Sequence, residues 1–258
     1  MDTSIIEKTE ISSKRGLSGS TLKIMAIILM FIDHLAAMLI LMGIYSKKIP
    51  YTGDMNTLNG IYLMMRAVGR ICFPIFCFLL VEGYVHTSNK KKYAFRLFIF
   101  ALVSEIPFNL AFGDKMFIPI SRLNNVFFTL FLGVCVMYII EVINSKKMNK
   151  VVNIVCIIAT IVLFGIIAKF IKCDFTYYGI LCIALFYIFR QKRLLQILSG
   201  AIVFLYEVPS SLGIVYLSLL AIYFYNGERG LKIKYFFYLF YPAHLLILYF
   251  VRLYLTTR

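Results

Sequence analysis

Long apolar runs dominate this chain, and short polar segments rich in Lys and Arg separate them. A helix needs about 20 apolar residues to cross the roughly 30 Å hydrocarbon layer of a bilayer. Six of the runs approach or exceed that length, so the pattern predicts an all-α, polytopic transmembrane helix bundle of about nine spans. The expected spans are 22–43, 61–85, 94–113, 125–143, 151–170, 174–189, 194–208, 211–226 and 235–255.

The runs at 194–208 and 211–226 are the shortest. At about 15 residues and 1.5 Å per residue, each covers roughly 22 Å of helix. They form either two thin spans or a re-entrant hairpin that the protein shields from lipid. Both alternatives leave the orientation of the last span unchanged.

Positive charge alternates along the chain with the predicted spans. Fifteen Lys and Arg residues fall at one set of span ends, three at each, and seven fall at the opposite set. The positive-inside rule puts the richer set, and with it the N-terminus, in the cytoplasm. Residues 1–20 are then a cytoplasmic tail, and 21–258 form one transmembrane domain. The richer set is Lys8, Lys14, Arg15, Lys90, Lys91, Lys92, Lys146, Lys147, Lys150, Arg190, Lys192, Arg193, Arg229, Lys232 and Lys234. The poorer set is Lys47, Lys48, Lys115, Arg122, Lys172, Arg252 and Arg258.

Composition supports a membrane location. Hydrophobic residues make up 61% of the chain, whereas soluble domains contain about half. The net charge of +15 would suggest nucleic acid in a soluble protein. Here the charge sits in short clusters between apolar runs, which indicates membrane topology and contact with anionic lipids. We therefore expect a multi-pass protein of the cell membrane with no nucleic-acid partner.

Four ionisable residues from different predicted spans fall at similar depth. Counted from the cytoplasmic end at 1.5 Å per residue, His34, Arg70, Glu105 and His244 lie within about 8 Å of one another in depth. Ionisable groups inside a membrane are costly and normally face a bundle interior or water. The match in depth predicts one buried polar centre, with His34 as the strongest candidate for a catalytic base.

Lys23 precedes His34 by eleven residues, which is three helical turns plus about 20°. The two side chains therefore share one stripe of the first span, about 16 Å apart along its axis. Lys23 lies at the cytoplasmic mouth, where an ordinary interfacial lysine is the alternative. The spacing suits a substrate with an anionic head and a long, thin arm.

The remaining charged residues near this centre have several possible partners. Asp33 points away from His34 and is expected to pair with Arg66 or Arg70, which share one helix face. Glu105 could orient His34 or balance Arg70. No soluble-enzyme motif is present, and no ligand spacing supports a metal site.

Four sequence blocks resemble the TraX family, which is named for a conjugal-transfer protein linked to N-terminal acetylation of F-pilin. TraX-like proteins are similar to a wider group of transmembrane acyltransferases that modify surface glycans. In their first span, these acyltransferases carry a basic residue that is followed, after ten intervening residues, by a His. Lys23 and His34 match that pattern. The blocks are LKIMAIILMFIDHLAAML (22–39), GRICFPIFCFLLVEGYVHTSNKKKYAFRLFIFALVSEIPFNLAFG (69–113), NNVFFTLFLG (124–133) and FFYLFYPAHLLILYF (236–250).

The resemblance implies acetyl-CoA as a donor that enters from the cytoplasm, and an acceptor on the far side, such as an envelope glycan or a pilin-like protein. His34 would be the general base, with Glu105 and His244 orienting it or stabilising the oxyanion. Lys23, with Arg66 or Arg70, would hold anionic groups of the coenzyme. Two other functions stay open: a proton-coupled transporter, because acid and His chains also serve proton relays, and a non-catalytic membrane assembly factor.

Overall fold

The computed structural model describes residues 16–113, 124–231 and 234–257, so most of the expected tail 1–20 lies outside the described residues. Within these ranges, seven helical segments are long and apolar enough to cross a membrane, and two shorter apolar helices accompany them. The prediction of an all-α polytopic bundle is confirmed. The long segments are Gly19–Tyr45, Met55–Val85, Lys90–Gly113, Val126–Ser145, Lys150–Phe170, Arg193–Ser211 and Phe236–Thr256, and the short ones are Thr176–Ile188 and Ile214–Tyr223.

The first segment is an α-helix that changes to a π-helix, Ala36–Tyr45, directly after the His34 turn. Such π segments are rare and are often found at functional sites. The α-helices are α1 Gly19–Leu35, α2 Met55–Gly69, α3 Cys72–Val85, α4 Lys90–Gly113, α5 Val126–Ser145, α6 Lys150–Phe170, α7 Thr176–Ile188, α8 Arg193–Val203, α9 Val208–Ser211, α10 Leu217–Tyr223 and α11 Lys234–Thr256.

Polar side chains define where several helices begin and end. Ser18, Asp54, Asn125 and Asn149 each accept a hydrogen bond from a backbone N–H in the first turn of α1, α2, α5 and α6. These residue types suit the N-cap because their short side chains reach the free N–H groups there. At the C-terminal end of α4, Arg252 donates hydrogen bonds to the carbonyls of Ala111 and Leu110 at 3.0 and 3.3 Å. Arg252 is thus buried against α4, although the charge count placed it at the external end of the last span.

Backbone contacts between connections identify the two ends of the bundle. Leu17, just before α1, pairs with Tyr225, just after α10, and Gly19 N–H donates to Glu228 C=O at 2.8 Å. At the opposite end, Asn124 pairs with Cys173 in the α6–α7 connection. The start of α1 therefore lies at the same end as the 225–229 connection, as the alternating charges predict.

The expected span 61–85 lies within the segment Met55–Val85, which is interrupted for two residues where α2 ends at Gly69 and α3 begins at Cys72. A Cβ atom at Gly69 would overlap the side chain of Asp33, so glycine permits α2 to approach α1 closely. The segments at 194–208 and 211–226 form a short helical hairpin whose tip turns through left-handed backbone at Leu212 and Gly213. Its α9 packs against α2 and brings Glu207 to the interior.

The close contact at Gly69 leads to a testable prediction, for which a second glycine of α2 serves as the control. Gly69→Ala should lower stability by roughly 1–3 kcal/mol, because the new methyl group forces α1 and α2 apart. Gly60→Ala should be neutral or stabilising, since nothing lies within 4 Å of its Cβ position and alanine favours helix. Thermal unfolding of the two purified variants in detergent measures the difference. Equal melting temperatures would contradict the close approach at Gly69.

Candidate functional site

Two adjacent cavities occupy the interior of the bundle. The first has a volume of about 220 Å³ and is here named the His34 cavity, after the side chain that lines it. The second has a volume of about 480 Å³, is lined by Lys23, and is named the Lys23 cavity. Four residues line both cavities. These residues separate the two spaces and are here called the partition. The shared residues are Met30, Phe76, Val126 and Tyr241.

The cavities lie toward opposite ends of the bundle. Gly227 and Arg229 of the α10–α11 connection line the Lys23 cavity, which puts it at the end rich in positive charge. Asp174 of the α6–α7 connection lines the His34 cavity, which puts that cavity toward the other end. On α1, Lys23 lines one cavity and His34 the other, with Met30 in the partition between them. The predicted stripe of α1 thus lines both spaces.

His34 is paired with His244 across the bundle. The two imidazole rings stack with centroids 5.0 Å apart, and His34 Nδ1 lies 2.7 Å from His244 Nε2. His244 Nδ1 in turn lies 2.8 Å from the carbonyl oxygen of Phe240. His34 and His244, which were expected at similar depth, are therefore in direct contact.

This chain of contacts assigns the protons. A carbonyl oxygen only accepts, so His244 Nδ1 carries the hydrogen, and neutral His244 then has a lone pair on Nε2. His34 must donate from Nδ1 to that lone pair, which leaves His34 Nε2 as the free acceptor. His34 Nε2 has no hydrogen-bond partner among the described residues, and His34 lines its cavity. The arrangement gives a base whose orientation is fixed by a second histidine.

Two ion pairs hold the arginines beside His34. Arg66 Nη1 lies 2.7 Å from Asp33 Oδ2, as expected from sequence, and Arg70 Nε lies 3.7 Å from Glu207 Oε2. Asp33, Arg66 and Arg70 line the His34 cavity together with Asp174. The structure therefore brings Arg66 and Arg70 to His34 and separates them from Lys23.

Glu105 lies apart from this centre. Its carboxylate accepts a hydrogen bond of 2.6 Å from the side-chain amide of Asn125, which also donates to the carbonyl of Ala101. Glu105 lines neither cavity. The expected contact with His34 or Arg70 is absent from the described structure, because Glu105 faces α5 and joins it to α4.

Lys23 lies among other cations in its cavity. Its Nζ is 5.4 Å from the ring centroid of Phe237, and Arg96 and Arg229 line the same space. Among the described residues, none of the three makes an ion pair with a carboxylate. Glu82 is a carboxylate in the same lining, so the three cations outnumber it and leave the cavity with the net positive charge that favours an anion.

Sequence reasoning missed several residues of the two cavities. Asp174 and Glu207 lie at the ends of the expected spans 174–189 and 194–208, and neither was assigned to the buried polar centre. Arg96 carried a possible signal, because it is an arginine within an apolar run. Among the described residues, no group of three His, Cys, Asp or Glu side chains is placed to hold a metal ion.

Comparisons with known proteins agree with this membrane architecture. A family model described as TraX protein matches residues 18–252. The probable fimbrial assembly protein FimC, serogroup H1, of Dichelobacter nodosus is 29% identical over 257 aligned residues, which cover 90% of this chain and 94% of that protein. No solved structure matches the chain. Because the family match runs from the start of α1 almost to the end of α11, the resemblance seen in the sequence is confirmed and the chain belongs to the TraX family.

Proposed function

We propose that this protein is an integral-membrane acetyltransferase. It moves an acetyl group from cytoplasmic acetyl-CoA to a hydroxyl or amine of an acceptor outside the cytoplasm. The observation that carries the proposal is the free Nε2 of His34, which faces a cavity separated by only four residues from a cation-lined cavity at the cytoplasmic end.

The Lys23 cavity suits the coenzyme. Coenzyme A has an anionic phosphate head and a long, thin arm that ends in the thioester. Lys23, Arg96 and Arg229 supply the cations for the head, and charge-assisted hydrogen bonds to phosphate are among the stronger ones. The arm passes the apolar side chains near the partition and brings the thioester to His34. Because Arg66 and Arg70 are already paired with carboxylates, Arg96 and Arg229 are better placed for the coenzyme.

His34 acts as the general base. The acceptor's O–H or N–H proton moves to His34 Nε2 as the nucleophile bonds to the acetyl carbon. His244 stabilises the resulting imidazolium by accepting from Nδ1–H. When the tetrahedral intermediate collapses, the C–S bond breaks, and the leaving thiolate takes the proton from His34. The products are free coenzyme A and the acetylated acceptor.

The acceptor enters the His34 cavity from the end that carries Asp174. Asp33, Arg66, Arg70 and Asp174 offer hydrogen-bond donors and acceptors there. The FimC relative's description as a fimbrial assembly protein supports a surface appendage protein as the acceptor, and an envelope glycan is the second choice. The same description favours a non-catalytic assembly factor as the rival function.

A double-mutant cycle on the two histidines tests the enzyme proposal. His34→Ala should lower turnover by about 10²–10⁴-fold, the usual contribution of a general base. His244→Ala should cost less, and the double variant should be no slower than His34→Ala, because the two residues act as a unit. Transfer of radiolabelled acetyl from acetyl-CoA to envelope extract by purified protein measures all four forms. Normal turnover in His34→Ala would remove its catalytic role, and a wild-type protein that transfers no label would favour the assembly factor.

Variants of Lys23 test coenzyme binding separately from the acetyl-transfer step. Lys23→Ala should weaken coenzyme A binding by about 1.5–3 kcal/mol, or roughly 10- to 150-fold in Kd. Lys23→Arg should recover much of this loss because it keeps the charge. Lys150→Ala, which removes an exposed cytoplasmic charge outside both cavities, is the matched control. Calorimetric titration with coenzyme A gives the affinities, and an unchanged Kd for Lys23→Ala would place the coenzyme head elsewhere.

A further inference from the structure

Tyr241 occupies the partition between the two cavities. It lies on α11, three residues before His244, and only 4% of it is exposed. Its ring packs edge-on against His34 and His244, with centroid separations of 6.0 and 5.7 Å. It also lines both the His34 cavity and the Lys23 cavity. Tyr241 therefore lies on the boundary that any group crosses to reach His34 from the Lys23 cavity.

The hydroxyl of Tyr241 is buried and has no hydrogen-bond partner among the described residues. Buried polar groups are nearly always paired, since an unpaired one loses its water without replacement. Because Tyr241 lines both cavities, a ligand bound there can supply the missing partner. This observation is independent of the histidine pair.

The start of α5 lies beside Tyr241, whose ring packs edge-on against Phe127 with centroids 5.2 Å apart. Asn125 caps α5, and the N–H of Val126 at the first helical position has no acceptor within the helix. Val126 lines both cavities, as Tyr241 does. The positive end of the α5 dipole also favours negative charge there.

We propose that Tyr241 is a catalytic residue, whose hydroxyl donates a hydrogen bond to the thioester carbonyl oxygen as that oxygen becomes an oxyanion. The inference rests on the proposed acetyl transfer and adds a role that the histidine pair cannot fill. Attack at the acetyl carbon pushes the carbonyl electron pair onto oxygen, and Tyr241 holds this charge without giving up its proton. When the carbonyl re-forms and the C–S bond breaks, the hydrogen bond weakens again.

This role predicts a loss in the chemical step and not in binding. Tyr241→Phe removes only the hydroxyl, so it should lower turnover by about 10²–10³-fold, as for other single oxyanion donors. Coenzyme A affinity should stay at the wild-type value, because the hydrogen bond forms in the transition state. Tyr249→Phe, two turns further along α11 and outside both cavities, is the matched control and should keep wild-type turnover.

A second measurement separates a hydrogen-bond donor from a packing residue. Fluorinated tyrosines placed at position 241 keep the shape of the ring and make the phenol a stronger donor. Turnover should follow the acidity of the phenol if Tyr241 stabilises the oxyanion, and should not depend on it if the ring only fills space. If the wild type is active and Tyr241→Phe is equally active, the role of Tyr241 is overturned and the proposed acetyl transfer is not. A wild type without acetyl transfer would remove the proposed function, and the role of Tyr241 with it.

Discussion

The hydrogen bond between His34 and His244 is the interaction on which the candidate site depends. It joins the first and last membrane helices, and the two residues are 210 positions apart in sequence. Because His244 is anchored to the carbonyl of Phe240, the bond also determines which nitrogen of His34 is free. A base with a fixed tautomer needs no reorganisation before it accepts a proton, and preorganised polar groups of this kind are most effective where water is excluded. The apolar lining of the partition provides that exclusion.

The two arginines beside the histidine pair are each placed next to a carboxylate, as a low-dielectric interior favours. Isolated charges inside a membrane protein are expensive, so they pair or face water. Asp33 pairs with Arg66 and Glu207 lies beside Arg70, which leaves the His34 cavity polar without an isolated arginine. The Lys23 cavity differs, because Lys23, Arg96 and Arg229 make no ion pair with a carboxylate among the described residues and outnumber Glu82 in the lining. It lies at the end of the bundle that carries more Lys and Arg. This asymmetry supports an anionic ligand at that end and a different ligand at the other.

Hydropathy was sufficient to predict an all-α membrane bundle, because lipid imposes long apolar helices. About nine spans were expected, and the described residues contain seven long apolar helical segments and two shorter ones. Depth alone also placed His34 and His244 together. Depth does not give the direction in which a side chain points around its helix, and for that reason Glu105 was assigned to the centre although it faces Asn125. Asp174 lies in a turn that folds inward, which no periodicity reveals. Tyr241 is one of 18 tyrosines, and only the structure distinguishes it by an unpaired hydroxyl beside His34.

The central claim is that two adjoining cavities let a cytoplasmic donor and an external acceptor meet at His34. Sided vesicles test it most directly: the purified protein is reconstituted, envelope extract is trapped inside, and radiolabelled acetyl-CoA is added outside. Protease cleavage of a tag on the N-terminal tail reports the orientation of each preparation. The account predicts labelled acceptor inside those vesicles whose N-terminus faces the added acetyl-CoA, and none in vesicles of the opposite orientation. Labelling that does not depend on orientation, or that requires donor and acceptor on the same side, would contradict it.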